Sequence, residues 1–126
     1  MQTDDIVSTI MQKWATAFTR LDSATLSSLY SKNAFFFGSN PILYRGNDGV
    51  KAYFDQLPRW AAPTVQFTEV STALVAPELI NVAGTATFLT EKGAAPLVVK
   101  ITWGIVREDG DWKIVSHHVS PMTPLI

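Results

Sequence analysis

The sequence predicts an α+β domain in which a cone-like, strongly bent antiparallel sheet of four long strands plus short N-terminal strands wraps around three N-terminal helices. Up to Leu57 the apolar residues recur at intervals of three and four, the spacing of amphipathic helices. From Thr64 onward β-branched residues dominate, and turn clusters cut that half into four strand-length segments joined as hairpins. Helices first and sheet second, without alternation, excludes a parallel doubly wound sheet.

Thr3-Asp4-Asp5 supplies cap candidates and negative charge where a helix start leaves N–H groups unpaired. Ile6, Ile10, Trp14, Ala17, Phe18 and Leu21 then draw one apolar stripe, predicting a helix from about Asp4 to Leu21. Asp22-Ser23 opens a short second helix carrying Leu26, Leu29 and Tyr30, expected to run to about Ser31. The aromatic run Phe35-Phe36-Phe37 ends in the turn cluster Gly38-Ser39-Asn40-Pro41, and Leu43-Tyr44-Arg45 fits a short pairing strand. Gly46-Asn47-Asp48 opens a third helix with Val50, Tyr53, Phe54 and Leu57, stopped by Pro58.

The long strands are expected over Thr64–Val75, Leu79–Thr90, Leu97–Arg107 and Trp112–Val119. Pro77-Glu78, Glu91-Lys92-Gly93 and Glu108-Asp109-Gly110-Asp111 make the turns, the last strongly because Asp-Gly tolerates positive φ. Pro121 and Pro124 keep the tail from continuing a ladder. Along the third long strand Lys100, Thr102, Gly104 and Val106 alternate with Ile101, Trp103 and Ile105, so both faces read as half buried. One face packs on the helices. The other is expected to meet a second copy of the chain, making a two-fold homodimer through the outer sheet face.

A chain of 126 residues, 47% hydrophobic and 17% charged, fits one globular domain spanning 1–126. Ten basic and eleven acidic residues leave a net charge of -1 with no basic block, which excludes an electrostatic nucleic-acid footprint. Cys is absent, so disulfide and thiolate chemistry are excluded. The N-terminus is acidic where a secretory signal would be basic, and Pro77, Glu78 and Lys100 interrupt the apolar stretches before they reach bilayer length. A cytoplasmic location away from membranes is the expectation.

Several stretches resemble the nuclear transport factor 2-like superfamily, which includes ketosteroid isomerases, SnoaL-like polyketide cyclases and the association domain of calcium/calmodulin-dependent protein kinase II. Trp14-Ala15-Thr16-Ala17-Phe18 with Leu21-Asp22 is similar to the first-helix signature, and Arg45-Gly46 to the start of the third helix. Glu108 to Val115 with His117-His118-Val119-Ser120 looks like the last hairpin of the association-domain branch. The resemblance implies a small-molecule-binding protein with an apolar, aromatic-lined pocket. It leaves open an isomerase or cyclase acting on a polyketide-like or steroid-like substrate, and a module that only oligomerises.

The departures from the family pattern bear on chemistry. Where ketosteroid isomerases place an oxyanion-binding Tyr and a proton-abstracting Asp, this chain has Trp14 and Gly38. An indole donates a hydrogen bond but exchanges no proton at ordinary pH, and Gly has no side chain to act as a base. Where the kinase association domain lines its pocket with Arg, this chain has Thr85, Trp103 and Val119. Neither isomerase chemistry of that type nor an acidic ligand on an Arg cluster is supported.

His117 and His118 are the only histidines and the candidates for acid/base work. Neighbours in a regular strand point to opposite faces, so one of them faces the cavity, as an acid/base or as a structural imidazole, and a bulge could change which. They cannot chelate one metal together, and without Cys or a His-Glu ligand spacing no metal and no cofactor are expected. The carboxylates fall at helix starts, in turns or on the wet face of the third helix (Asp55); Glu69 alone lies in a strand interior, where it either enters the pocket or, as expected, takes an exposed position. The aromatic residues are the stronger lead. Trp14, Phe18, Tyr30, Tyr53 and Trp103 are expected to line a pocket for an apolar or aromatic small molecule.

Overall fold

The computed structural model describes residues 2–126. α1 (Thr3–Thr19) buries Ile6, Val7, Ile10, Met11, Trp14, Ala17 and Phe18, the stripe that the spacing predicts. Its N-cap is Gln2, with no side-chain cap bond, so Asp4 and Asp5 act through charge in the first turn and do not cap. Leu21, at positive φ, closes the C-terminus: its N–H bonds to the Phe18 carbonyl and that of Asp22 to the Ala17 carbonyl. Asp22 then caps α2 (Ser23–Ser28), accepting from the Thr25 N–H at 3.1 Å and the Thr25 hydroxyl at 2.6 Å.

α2 stops at Ser28, three residues short of the expectation, and Tyr30 belongs to β1 (Tyr30–Phe37). The carbonyls a longer helix would have used are taken by other elements. Asn47 donates to the carbonyls of Ser27 and Tyr30, and the Ile114 N–H bonds to the Leu29 carbonyl at 2.9 Å. β2 (Leu43–Arg45) pairs with β1, and α3 (Gly46–Asp55) follows. Gly46 has φ 67° with the Lys32 carbonyl 3.0 Å from where a Cβ would stand, so a side chain there would be strained and crowded.

β3 (Thr64–Ala76), β4 (Leu79–Leu89), β5 (Leu97–Glu108) and β6 (Asp111–Pro121) are the four predicted long strands, joined as antiparallel neighbours. Asp109 and Gly110, both at positive φ, make the two-residue β5–β6 turn. The sheet order is β2-β1-β6-β5-β4-β3, and β1 lies parallel to β6. That pair is the departure from an all-antiparallel sheet. β2, α3 and three long strands lie between β1 and β6 in the chain, and a connection of that length allows the two to pair in parallel.

Among the irregularities of the sheet, a bulge on β3 and one on β6 bear on how it packs over the helices. On β3, Glu69 and Val70 face Gly84 where regular pairing would place one residue, and Glu69 takes φ 52°. A Cβ on Gly84 would approach Thr68 and Val70 at 3.3 Å, so the bulge needs this small partner. On β6, Val115 is the extra residue between the pairs Gly104–Ser116 and Ile105–Ile114. The core between sheet and helices is built on Trp103, Tyr30, Phe36, Leu26, Ile80, Ile105 and Ile114, each almost entirely buried. On the outer face Lys100 and Thr102 are exposed in the single chain while Gly104 and Val106 are half-buried, so the half-buried outer face expected from the sequence is only partly covered.

Candidate functional site

Strict alternation along β6 would put Ile114, Ser116 and His118 on one face. The Val115 bulge resets the count, so Ile114 and His117 both point into the core and His118 points out. His117 is paired with Trp103 on β5 and Phe36 on β1, and its ring lies 4.6 Å from that of Phe36. His118 is exposed beside Phe37. Of the two candidate histidines, only His117 reaches the interior.

His117 ends a buried hydrogen-bonded chain. The Trp14 Nε1–H donates to the Tyr30 hydroxyl at 3.0 Å, and that hydroxyl is 2.7 Å from His117 Nδ1. The Tyr30 oxygen already receives the indole proton, so its own proton needs an acceptor, and Nδ1 is within reach. Were Nδ1 protonated, the phenolic proton would be buried without a partner, at a cost of roughly 1–3 kcal/mol. The imidazole therefore carries its proton on Nε2. Burial, followed by the neighbouring charge of His118, pushes the His117 pKa down to about 3, so the ring is neutral across the physiological range. Burial likewise raises the Tyr30 phenol far above its ordinary value. His117 Nε2 and Trp103 Nε1 are buried without a hydrogen-bond partner.

In front of His117 lies a cavity of about 350 Å³. Trp14 and Phe18 from α1, Phe36 from β1, Phe54 from α3 and Phe67 and Phe88 from β3 and β4 form an aromatic wall, with Trp60 across from Phe18 at 6.3 Å. Tyr53 closes another side. Its hydroxyl accepts from the Ser39 N–H at 3.0 Å, and its ring fills the space a side chain at position 38 would need, 2.7 Å from a Cβ on Gly38. Gly38, which stands where the isomerase pattern has its base, is thus part of the wall. No Asp, Glu, Lys or Arg lines the cavity among the described residues. The same residues contain no cluster of three or more His, Asp or Glu able to hold a metal ion.

Of the residues expected to line a pocket, Trp14, Phe18 and Tyr53 do so. Tyr30 and Trp103 do not; they stand behind His117 in the core, with Trp103 edge-on to it at 5.5 Å. Val119 borders the cavity, whereas Thr85 does not. Phe36, Phe67 and Phe88 line the cavity as well, though the sequence did not point to them. Phe67 and Phe88 carried a readable signal, since each follows a polar residue, Gln66 or Thr87, in a strand. Phe36 carried none, because three consecutive phenylalanines hide which one faces inward.

The model of the SnoaL-like domain family matches residues 7–124, nearly the whole chain. The chain belongs to the SnoaL-like domain family. No curated protein matches this SnoaL-like chain significantly. Solved structures that resemble it include a protein from Xanthomonas campestris provisionally named a calcium/calmodulin-dependent protein kinase II association domain. That one is 21% identical, with a TM-score of 0.82 over 95% of this chain and 87% of the other. A protein from Streptomyces avermitilis, provisionally named a dehydratase of the nuclear transport factor 2-like family, is 20% identical, with a TM-score of 0.82 over 95% and 96%. One from Novosphingobium aromaticivorans, provisionally named a scytalone dehydratase, is 12% identical, with a TM-score of 0.84 over 94% and 83%. At these identities the likeness shows the nuclear transport factor 2-like fold of the SnoaL-like domain, and the residues of the site have to speak for its chemistry. No helix among the described residues is long and apolar enough to cross a membrane.

Proposed function

We propose that this SnoaL-like protein binds an apolar or aromatic small molecule in the cavity in front of His117, and that it does so as a homodimer joined through the outer sheet face. The observation that carries the binding reading is the cavity itself: about 350 Å³ of space with aromatic walls and no charged side chain. That volume is at the lower end of those that hold small molecules, and the mixture of apolar wall and few polar groups is what such sites use. A module that only oligomerises has no need for this space. For the dimer, support comes from the apolar side chains Val98, Val106 and Val115, which share the outer face with the exposed Lys100 and Thr102. Thr102→Lys should turn a dimer into a monomer in sedimentation; a wild-type chain that sediments as a monomer overturns that part.

Catalysis, as an isomerase or cyclase with a C-terminal His as acid/base, is the second reading. The Tyr30 hydroxyl 2.7 Å from His117 favours it. The protonation state weighs against it: Nε2 bears the proton, and a pKa near 3 makes the ring a poor base. A neutral imidazole N–H can polarise a carbonyl, but the proton-abstracting partner would have to come from outside the lining residues.

Trp14 and Trp60 in the wall provide the readout. Titration with a panel of aromatic and lipid-like compounds should give saturable fluorescence quenching and a raised Tm for some of them. A panel without a single binder sinks the reading.

A further inference from the structure

Across the middle of the outer sheet face the charges are all of one sign. Residues paired across strands point to the same face, so exposed His118 shares it with Phe37 of β1 on one side and Thr102 of β5 on the other. Lys100 is the diagonal neighbour of His118 on β5. The Arg45 guanidinium of β2 lies 5.0 Å over the ring of Phe35, two residues before Phe37, and Lys113 stands towards the β5–β6 turn. On its own strand His118 is flanked by Ser116 and Ser120, and beyond Thr102 on β4 stands Ala83. Among the described residues of the sheet, carboxylates stand only at the margins: Glu69 in the bulge of the edge strand β3, the others in or beside the turns, where Glu108 bonds to the Ser31 hydroxyl and the Lys32 N–H.

We propose that His118 makes self-association through this face pH-dependent: the two-fold dimer forms with the imidazole neutral and comes apart when acid protonates it. The inference rests on the reading that the outer face joins two copies of the chain, and it names the regulation of that contact. The middle of the face suits a second sheet. Ala83, Thr102, Gly104 and Ser116 are small enough to let two sheets approach, and Phe35 and Phe37 beside them are open to water in the single chain. In a two-fold contact the same patch lies on both sides, so Lys100 and Arg45 already meet a surface of their own sign. Imidazole is the side chain that ordinarily gains its charge between pH 8 and 5, and a dimer with one His118 from each copy gains two charges at once. With no carboxylate in the patch to receive them, the new charges add repulsion and a desolvation cost to the contact. Beside an Asp or Glu the same proton would tighten the dimer; here it loosens it.

Sedimentation of the full chain at about pH 8 and about pH 5.5, with a far-UV circular dichroism spectrum at each, tests this. The dimer dissociation constant should rise about tenfold or more at the lower pH while the folded spectrum is retained. His118→Gln should dimerise equally at both pH values, and His118→Lys, charged at both, should be weak at both. The inference is overturned by a wild-type dimer equally tight at both pH values, by a pH response that persists in His118→Gln, or by a His118→Lys chain that dimerises like the wild type. Dissociation that comes only with loss of the folded spectrum overturns it too. Each of these leaves the dimer standing. A wild-type chain that is monomeric at pH 8 overturns both, and assigns the basic face to a partner other than a second copy.

Discussion

His117 and His118 are neighbours in sequence with opposite surroundings. His117 is held between Trp103, Phe36 and the Tyr30 hydroxyl, while His118 lies on the outer face beside Phe37. Strand alternation separates the two fates, and one inserted residue, Val115, decides which of the two faces inward. The same division runs across the whole sheet: inward residues fill a core whose polar atoms are nearly all paired, and outward ones keep mixed apolar and polar character in water. On the inside, each protonation state and each methylene is held by its surroundings. On the outside, solvent absorbs such changes.

Acid exposes the contrast most strongly. The His117 pKa is near 3 in the folded chain and near its ordinary 6.5 once unfolded. Between those values the unfolded chain binds a proton that the folded one does not, so stability falls as the pH drops from about 6.5 to 3. The total loss is on the order of 5 kcal/mol. Urea unfolding over this range should show the slope in the wild type and a flatter profile in His117→Leu; identical slopes would mean that His117 stays accessible to protons.

Truncation inside the sheet comes next. Trp103→Ala should lower unfolding free energy by roughly 3–5 kcal/mol, whereas Phe35→Ala, about half exposed on the opposite face, should cost less than about 1 kcal/mol. Similar values for the two would break the division between the faces. Tyr30→Phe tests pairing rather than packing. It leaves the Trp14 N–H and His117 Nδ1 buried without a partner and should cost roughly 1–3 kcal/mol, seen as a lower urea midpoint at unchanged m-value. His118→Ala should be the mildest, within about 0.5 kcal/mol at pH 7 in the single chain, and any larger loss seen only at high protein concentration would place His118 in the dimer contact.

The three helices and four long strands were legible because each is specified locally, by the Ile6-to-Phe18 stripe, the β-branched runs and the Asp109-Gly110 turn. The end of α2 was not, since Asn47 and Ile114, far along the chain, take the carbonyls that decide it. The parallel seat of β1 beside β6 was equally silent, because pairing between distant strands has no local signature.

For the site, the aromatic character of the pocket and the candidacy of Trp14, Phe18 and Tyr53 could be read from the chain. The choice of His117 over His118, and the retreat of Tyr30 and Trp103 behind the cavity wall, could not. The sequence by itself determined the elements, the fold class and a pocket poor in charge, since periodicity and composition are local properties of the chain. Only the tertiary structure decided which face each ring occupies and which nitrogen of His117 keeps its proton. A one-residue bulge reverses every side chain beyond it, and a tautomer is set by whichever partner the rest of the fold brings within hydrogen-bond reach.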